Sequence, residues 1–239
     1  VNYSGLNQTS DVGSTNTFAP NLASLTQSGT DDKIGDLQQT AHGNHTSAVG
    51  NQATTAQGGS GNVIRNLWQE QAAGAASNVA NITENGSNNT INRVDQKSTI
   101  AGTANSITVL IDGSNNGNGL LGPVAWAAGG SDGALIQNNY NALSLDVAGN
   151  TQSLTIHGDD NQFGLTQKGL NNTIAPVLIN GSANSVGAYQ AGSSNLITVT
   201  TVDGDGNDIG AFQSGTSNEA TLAVAAAGSD DNKAGTFQS

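Results

Sequence analysis

Few side chains in this sequence could do chemistry, and most of those are amides. Carboxylates gather in short runs, Gly158-Asp159-Asp160-Asn161 and Gly204-Asp205-Gly206-Asn207-Asp208, whose hard oxygens would suit a calcium ion. The equivalent turns Gly181-Ser182-Ala183-Asn184 and Gly192-Ser193-Ser194-Asn195 have no carboxylate, so solvated turns are expected rather than metal sites. His42 and His45 lie close together in a glycine-rich stretch without a third ligand, and His157 stands apart. The adjacent pairs Asp31-Asp32 and Asp230-Asp231 would point to opposite faces of an extended chain, a poor geometry for acid–base work. No nucleophile elbow, phosphate loop or zinc spacing occurs, so neither an enzyme nor a cofactor is expected. What remains is the amide itself, which carries donors and an acceptor and can bond to a copy of itself.

The elements that would position such amides follow from composition. The 239 residues include 32 glycines, 3 prolines and no cysteine or methionine; only 10% are charged and 4% aromatic. Large apolar side chains are too scarce for an ordinary closed core. Low charge and scarce proline also argue against disorder, which leaves stacked β-structure with side-chain amide ladders. A net charge of −12 with six Lys and Arg argues against nucleic acid as a partner. No apolar run approaches the length of a membrane helix, and no membrane insertion is expected. The start at Val1, without a basic and then apolar leader, is read as a mature chain after signal-peptide removal.

A repeat supplies the register. Asn161-x5-Gln167, Asn184-x5-Gln190, Asn207-x5-Gln213 and Asn232-x5-Gln238 share the pattern Asn-x-apolar-Gly-x-aromatic-Gln, with Thr166 in the aromatic place of the first, at steps of 23, 23 and 25 residues. Between them recurs Gly-x-x-Asn: Gly158, Gly169, Gly181, Gly192, Gly204 and Gly215 each precede an Asn by three, at intervals of 11 or 12. Each reads as a tight turn, with a strand of about seven residues between turns. The expected fold is all-β: a β-solenoid with two strands per ~23-residue coil and cross-β stacking, roughly ten coils in all. The organisation reads as 1–20 N-terminal tail or cap (a degenerate first coil being the other reading), 21–116 irregular repeats, 117–133 a loop insertion and 134–239 regular repeats.

Strand alternation places Asn184, Val186, Ala188 and Gln190 on one face, assigned inward, and Ser185, Gly187 and Tyr189 on the other. On the second arm Asn195, Ile197, Val199 and Thr201 are expected inward, as are Asn218, Ala220, Leu222 and Val224 in the next coil. Stacking then aligns Asn161, Asn184, Asn207 and Asn232 in one ladder, Gln167, Gln190, Gln213 and Gln238 in a second, and Asn172, Asn195 and Asn218 in a third. Outward, Tyr189, Phe212 and Phe237 form an aromatic column beside Gly187, Gly210 and Gly235. Two readings stay open: a lateral contact stripe, or a cover over the glycines. The last repeat reads as a half-finished coil, an edge open to a further copy.

Asn161-x5-Gln167-x4-Asn172, Asn184-x5-Gln190-x4-Asn195 and Asn207-x5-Gln213-x4-Asn218 resemble the curlin repeat, Ser-x5-Gln-x4-Asn-x5-Gln, with Asn for Ser. The fourth position departs, with Leu178, Thr201 and Val224 where Gln is expected. The resemblance is clear over 156–239 and patchy over 21–116. It implies a secreted functional-amyloid subunit, a cell-surface-associated extracellular fibre in a biofilm matrix. Its partners would be further copies of itself, with a nucleator subunit and a secretion chaperone. The alternative is a monomeric β-solenoid binding module for polysaccharide, ice or a calcium-dependent adhesive contact. The Thr198/Thr200 row that ice binding would use does not persist into neighbouring coils.

Overall fold

A computed structural model describes residues 2–11, 21–42, 50–117, 142–224 and 230–238. Short strands separated by glycine turns stack into two parallel sheets. The first sheet runs β1 (Asn2–Asp11), β3 (Lys33–His42), β5 (Val63–Gln71), β8 (Arg93–Ser98), β10 (Ala142–Ala148), β12 (Gln162–Leu170), β14 (Ser185–Ser193), β16 (Asp208–Thr216) and β18 (Lys233–Gln238), with β7 (Thr90–Ile91) beside β5. The second runs β2 (Leu22–Gln27), β4 (Gln52–Ser60), β6 (Asn78–Ser87), β9 (Asn105–Ser114), β11 (Thr151–His157), β13 (Thr173–Asn180), β15 (Leu196–Asp203) and β17 (Glu219–Val224). The chain alternates between sheets at every step, apart from β7, which precedes β8 in the first sheet. This is a β-solenoid of about seven turns.

Coil length differs from the expected ~23 residues. Successive members of one polar column, Asp32 and then asparagines, lie 30, 27, 27, 45, 23, 23 and 25 residues apart, about 27 in typical spacing. Only the C-terminal coils keep the short step, and the turns number about seven rather than ten. Two causes are visible. First, the corner from first to second sheet is two residues in the late coils, as at Ser194-Asn195, but six in the early ones, as at 72–77 and 99–104. Second, the early strands of the first sheet carry an extra residue: Ile34 and Leu37 are both buried with Gly35 and Asp36 between them, as are Ile64 and Leu67.

Residues Asn2–Asp11 of the expected tail or cap form a strand in register with β3, Leu6 opposite Leu37 and Gln8 opposite Gln39. The expected insertion at 117–133 lies outside the described residues after Gly117, as do 12–20, His45 and the first residues of 134–239.

The core is the thin space between sheets. It stacks Phe163, Val186 and Ile209 in one column, Leu165, Ala188 and Ala211 in another, and faces Ile174, Ile197 and Ala220 from the second sheet. Parallel in-register pairing places like on like, so each column needs a side chain that packs against itself, and aliphatic side chains meet that need.

Turn glycines are fixed by stacking as well as by backbone angle. Gly158, Gly169, Gly181, Gly192, Gly204 and Gly215 all have φ between 100° and 141°. A Cβ on Gly158, Gly169, Gly181 or Gly192 would collide with the carbonyl oxygen of the glycine in the next coil. In the late coils the residue before each ladder asparagine takes the left-handed region, at φ near 58° for Ser194 and Ser217 and 59° for Ala183.

Candidate functional site

The feature running the length of the solenoid is a set of buried amide columns. At the corner leading into the first sheet, Asp32, Asn62, Asn89, Asn116, Asn161, Asn184, Asn207 and Asn232 stack. From Asn89 onward, each donates its backbone N–H and its Nδ2 to the Oδ1 of the preceding member, at 3.0–3.1 Å in the Asn161–Asn184 step. The spare Nδ2 proton goes to the turn-glycine carbonyl one coil on, as from Asn184 to Gly204 at 2.9 Å. At the opposite corner Asn21, Asn51, Asn78, Asn105, Asn150, Asn172, Asn195 and Asn218 form a second column with the same polarity. Buried amides that would each cost about 1–3 kcal/mol unpaired are thus satisfied by their own repeats.

The glutamine column lies inside the first sheet and points the other way. Gln167 Nε2 donates to Gln190 Oε1 at 2.7 Å, Gln190 to Gln213 at 2.9 Å and Gln213 to Gln238 at 2.7 Å. An earlier run links Gln8, Gln39, Gln69 and Gln96 at 2.6–2.7 Å. Leu145 interrupts the two runs, in register with Gln96 on one side and Gln167 on the other. Leu has no donor, so the buried Gln167 Oε1 is left without a hydrogen-bond partner.

A third polar column was not anticipated. In the second sheet Gln27, Gln57 and Glu84 stack, Gln27 donating to Gln57 at 2.8 Å and Gln57 to Glu84 Oε2 at 2.7 Å. Above them the column turns apolar, through Ile111, Ile156, Ile179 and Val202. Burial pushes the Glu84 carboxyl up to about 8, the Gln57 amide drawing it down and nearby Asp32 adding to the rise. Glu84 Oε1 and Asp32 Oδ2 are both buried without a hydrogen-bond partner.

Sequence reasoning located Asn161, Asn172, Asn184, Asn195, Asn207, Asn218, Asn232 and the glutamines Gln167, Gln190, Gln213 and Gln238, and the structure gathers all of them into these columns. It missed Gln39, Gln69 and Gln96, because in the bulged early strands the spacing is Asn-x6-Gln, as in Asn62 to Gln69 and Asn89 to Gln96. The expected inward position of Thr201 is corrected: Val202 is buried there and Thr201 is part-exposed. A bulge between Val199 and Val202 adds one residue, and another beside Pro176 shifts the buried position from Leu178 to Ile179.

The outer aromatic column also differs from an exposed stripe. Tyr189 and Phe212 are only 8% and 4% exposed, and Phe237 alone is open, at 57%. The rings stack almost flat, 5.2 Å and 4.7 Å between centroids, and Gly187 and Gly210 beside them are buried. Face-to-face stacking along the axis covers Tyr189 and Phe212, which removes two of the three from lateral contact.

The carboxylates of the acidic turns bond to backbone: Asp159 accepts from the Ser114 N–H, Asp205 from Ser182 and Asp230 from Asp205. Among the described residues no group of three or more His, Asp or Glu could hold a metal ion.

The fold defines the chain as a parallel β-solenoid with polar ladders. No family model matches the chain, and neither a curated protein nor a solved structure is similar to it at a significant level.

Proposed function

We propose that this chain is the structural subunit of a secreted, curli-like amyloid fibre of the extracellular matrix, built by head-to-tail stacking of solenoids. The observation that carries this reading is the polarity of the ladders. Asparagine columns donate toward the N-terminal coils, and glutamine columns donate toward the C-terminal coils. Whichever coil stands outermost on the C-terminal side therefore offers Asn Oδ1 acceptors and Gln Nε2 donors. On the N-terminal side the glutamine column ends on Gln8, whose Nε2 is used by Gln39 and whose Oε1 is an acceptor, while the two corner columns end on Asn21 and on the Asp32 carboxylate. The glutamine column is complementary, Nε2 to Oε1, when copies point the same way and mismatched when they oppose. Such a contact does not close on itself and propagates into a filament.

Apolar exposure supports the same contact. Phe237 on β18 is 57% exposed, whereas its in-column equivalents Tyr189 and Phe212 are covered by neighbouring coils. A stacked copy would supply that cover.

The purified chain should form unbranched fibrils visible by negative-stain electron microscopy, with seeds shortening the lag. A stable monomer at high concentration, seeded or not, would remove the proposal.

A further inference from the structure

The flank of the first sheet carries a feature that stacking does not use. One outward column reads Gln38, Trp68, Asp95, Ser144, Thr166, Tyr189 and Phe212 in register. Between Trp68 and Tyr189 the side chains shrink, and the sheet face drops into a groove of about 790 Å³ that continues past Trp68 to Gln38, Thr40 and His42 on β3. The five strands from β5 to β14 span roughly 19 Å at the ~4.8 Å strand spacing. The volume lies in the ordinary range of small-molecule sites, about 300–1,000 Å³.

Its rim is formed by the next outward column, Glu70, Lys97, Asp146 and Lys168, whose charges alternate along the axis. Lys97 pairs with Glu70 at 3.2 Å. At the Trp68 end Arg93 lies 5.5 Å over the indole and forms an ion pair with Asp95, so that each holds the other in place. The groove thus contains Arg93, Lys97 and Lys168, three of the six Lys and Arg in a chain of net charge −12. Against them stand Glu70, Asp95 and Asp146, leaving the groove neutral.

We propose that this groove binds a neutral oligosaccharide laid along the solenoid axis, with Trp68 as the aromatic platform and Asp95 and Ser144 as a hydrogen-bonding floor. Three features select that class. Aromatic side chains meet the C–H faces of sugar rings, while hydroxyls and paired charges bond to sugar hydroxyls. The Arg93–Asp95 and Lys97–Glu70 pairs place donors and acceptors side by side, the arrangement that a vicinal diol matches. Balanced charge gives no attraction to a polyanion or a polycation, and a polar floor rejects dry packing against a second copy.

The test uses the full chain carrying Trp126→Phe, which leaves Trp68 as the sole indole. Cellohexaose, laminarihexaose, maltohexaose and chitohexaose are titrated separately, with polygalacturonate as the charged comparison, by Trp68 fluorescence and by calorimetry. At least one neutral hexaose should bind saturably. Ser144→Phe, which fills the trough, and Trp68→Ala should each weaken it by at least about tenfold in calorimetry with an unchanged circular dichroism spectrum. The proposal is overturned by no saturable binding to any of the four, by binding to polygalacturonate alone, or by affinity that Ser144→Phe leaves intact. It is equally overturned if Ser144→Phe abolishes lateral self-association while no neutral hexaose binds.

Discussion

Glu84 stands where its column passes from glutamine to isoleucine, and its environment decides its protonation. Its carboxyl is buried and titrates near 8 in the fold against an ordinary 4.5. A folded-state value above the unfolded one means the fold holds the proton more tightly. The associated stability is fully present below about pH 4.5 and is lost as pH rises toward 8. At most it amounts to about 5 kcal/mol. Denaturant melts of the wild type and Glu84→Gln should therefore converge near pH 4.5 and separate by pH 8, with the variant more stable. A separation independent of pH would contradict the assignment. Leu145 gives a second comparison at this scale. Gln190→Leu strands Gln167 Nε2 and Gln213 Oε1 in the core and should cost about 2–4 kcal/mol. Leu145→Gln exchanges apolar burial for a donor to the orphaned Gln167 Oε1 and should stay within about 1 kcal/mol of wild type. Chemical denaturation of the two variants side by side measures that asymmetry.

At the scale of the element, turns and strands obey different constraints. Gly181 has both a positive φ and a neighbour that forbids a Cβ, whereas Gly74 has φ 71° and open space around it. Gly181→Ala should cost more than about 3 kcal/mol and Gly74→Ala about 1–2 kcal/mol, read by thermal unfolding. The same contrast explains what could be read ahead of the structure. The late coils declare themselves because tight corners and unbulged first-sheet strands keep Asn-x5-Gln and Gly-x-x-Asn in phase. The early coils hide the same architecture, since one bulged residue changes Asn62-x5 to Asn62-x6-Gln69 and six-residue corners lengthen the step. Bulges at Pro176 and before Val202 likewise displace the inward position, which strict alternation cannot follow. Face-to-face ring stacking depends on the neighbouring coil, so Tyr189 and Phe212 read as exposed until the coils are assembled.

Across the whole molecule, each coil is bonded to the next by the chemistry that would bond one molecule to another. Backbone pairs, two asparagine columns and a glutamine column all repeat at the strand spacing, and the polar flank between Trp68 and Tyr189 stands clear of that axis. The account therefore turns on whether the layers continue through the junction between molecules. Cryo-electron microscopy of filaments grown from the purified chain measures this directly. The predicted result is a parallel, same-direction stack with layers every ~4.8 Å that run unbroken from one subunit's sheets into the next across the junction. Filaments joined side by side through the sheet faces, or with neighbouring solenoids pointing in opposite directions, would contradict it.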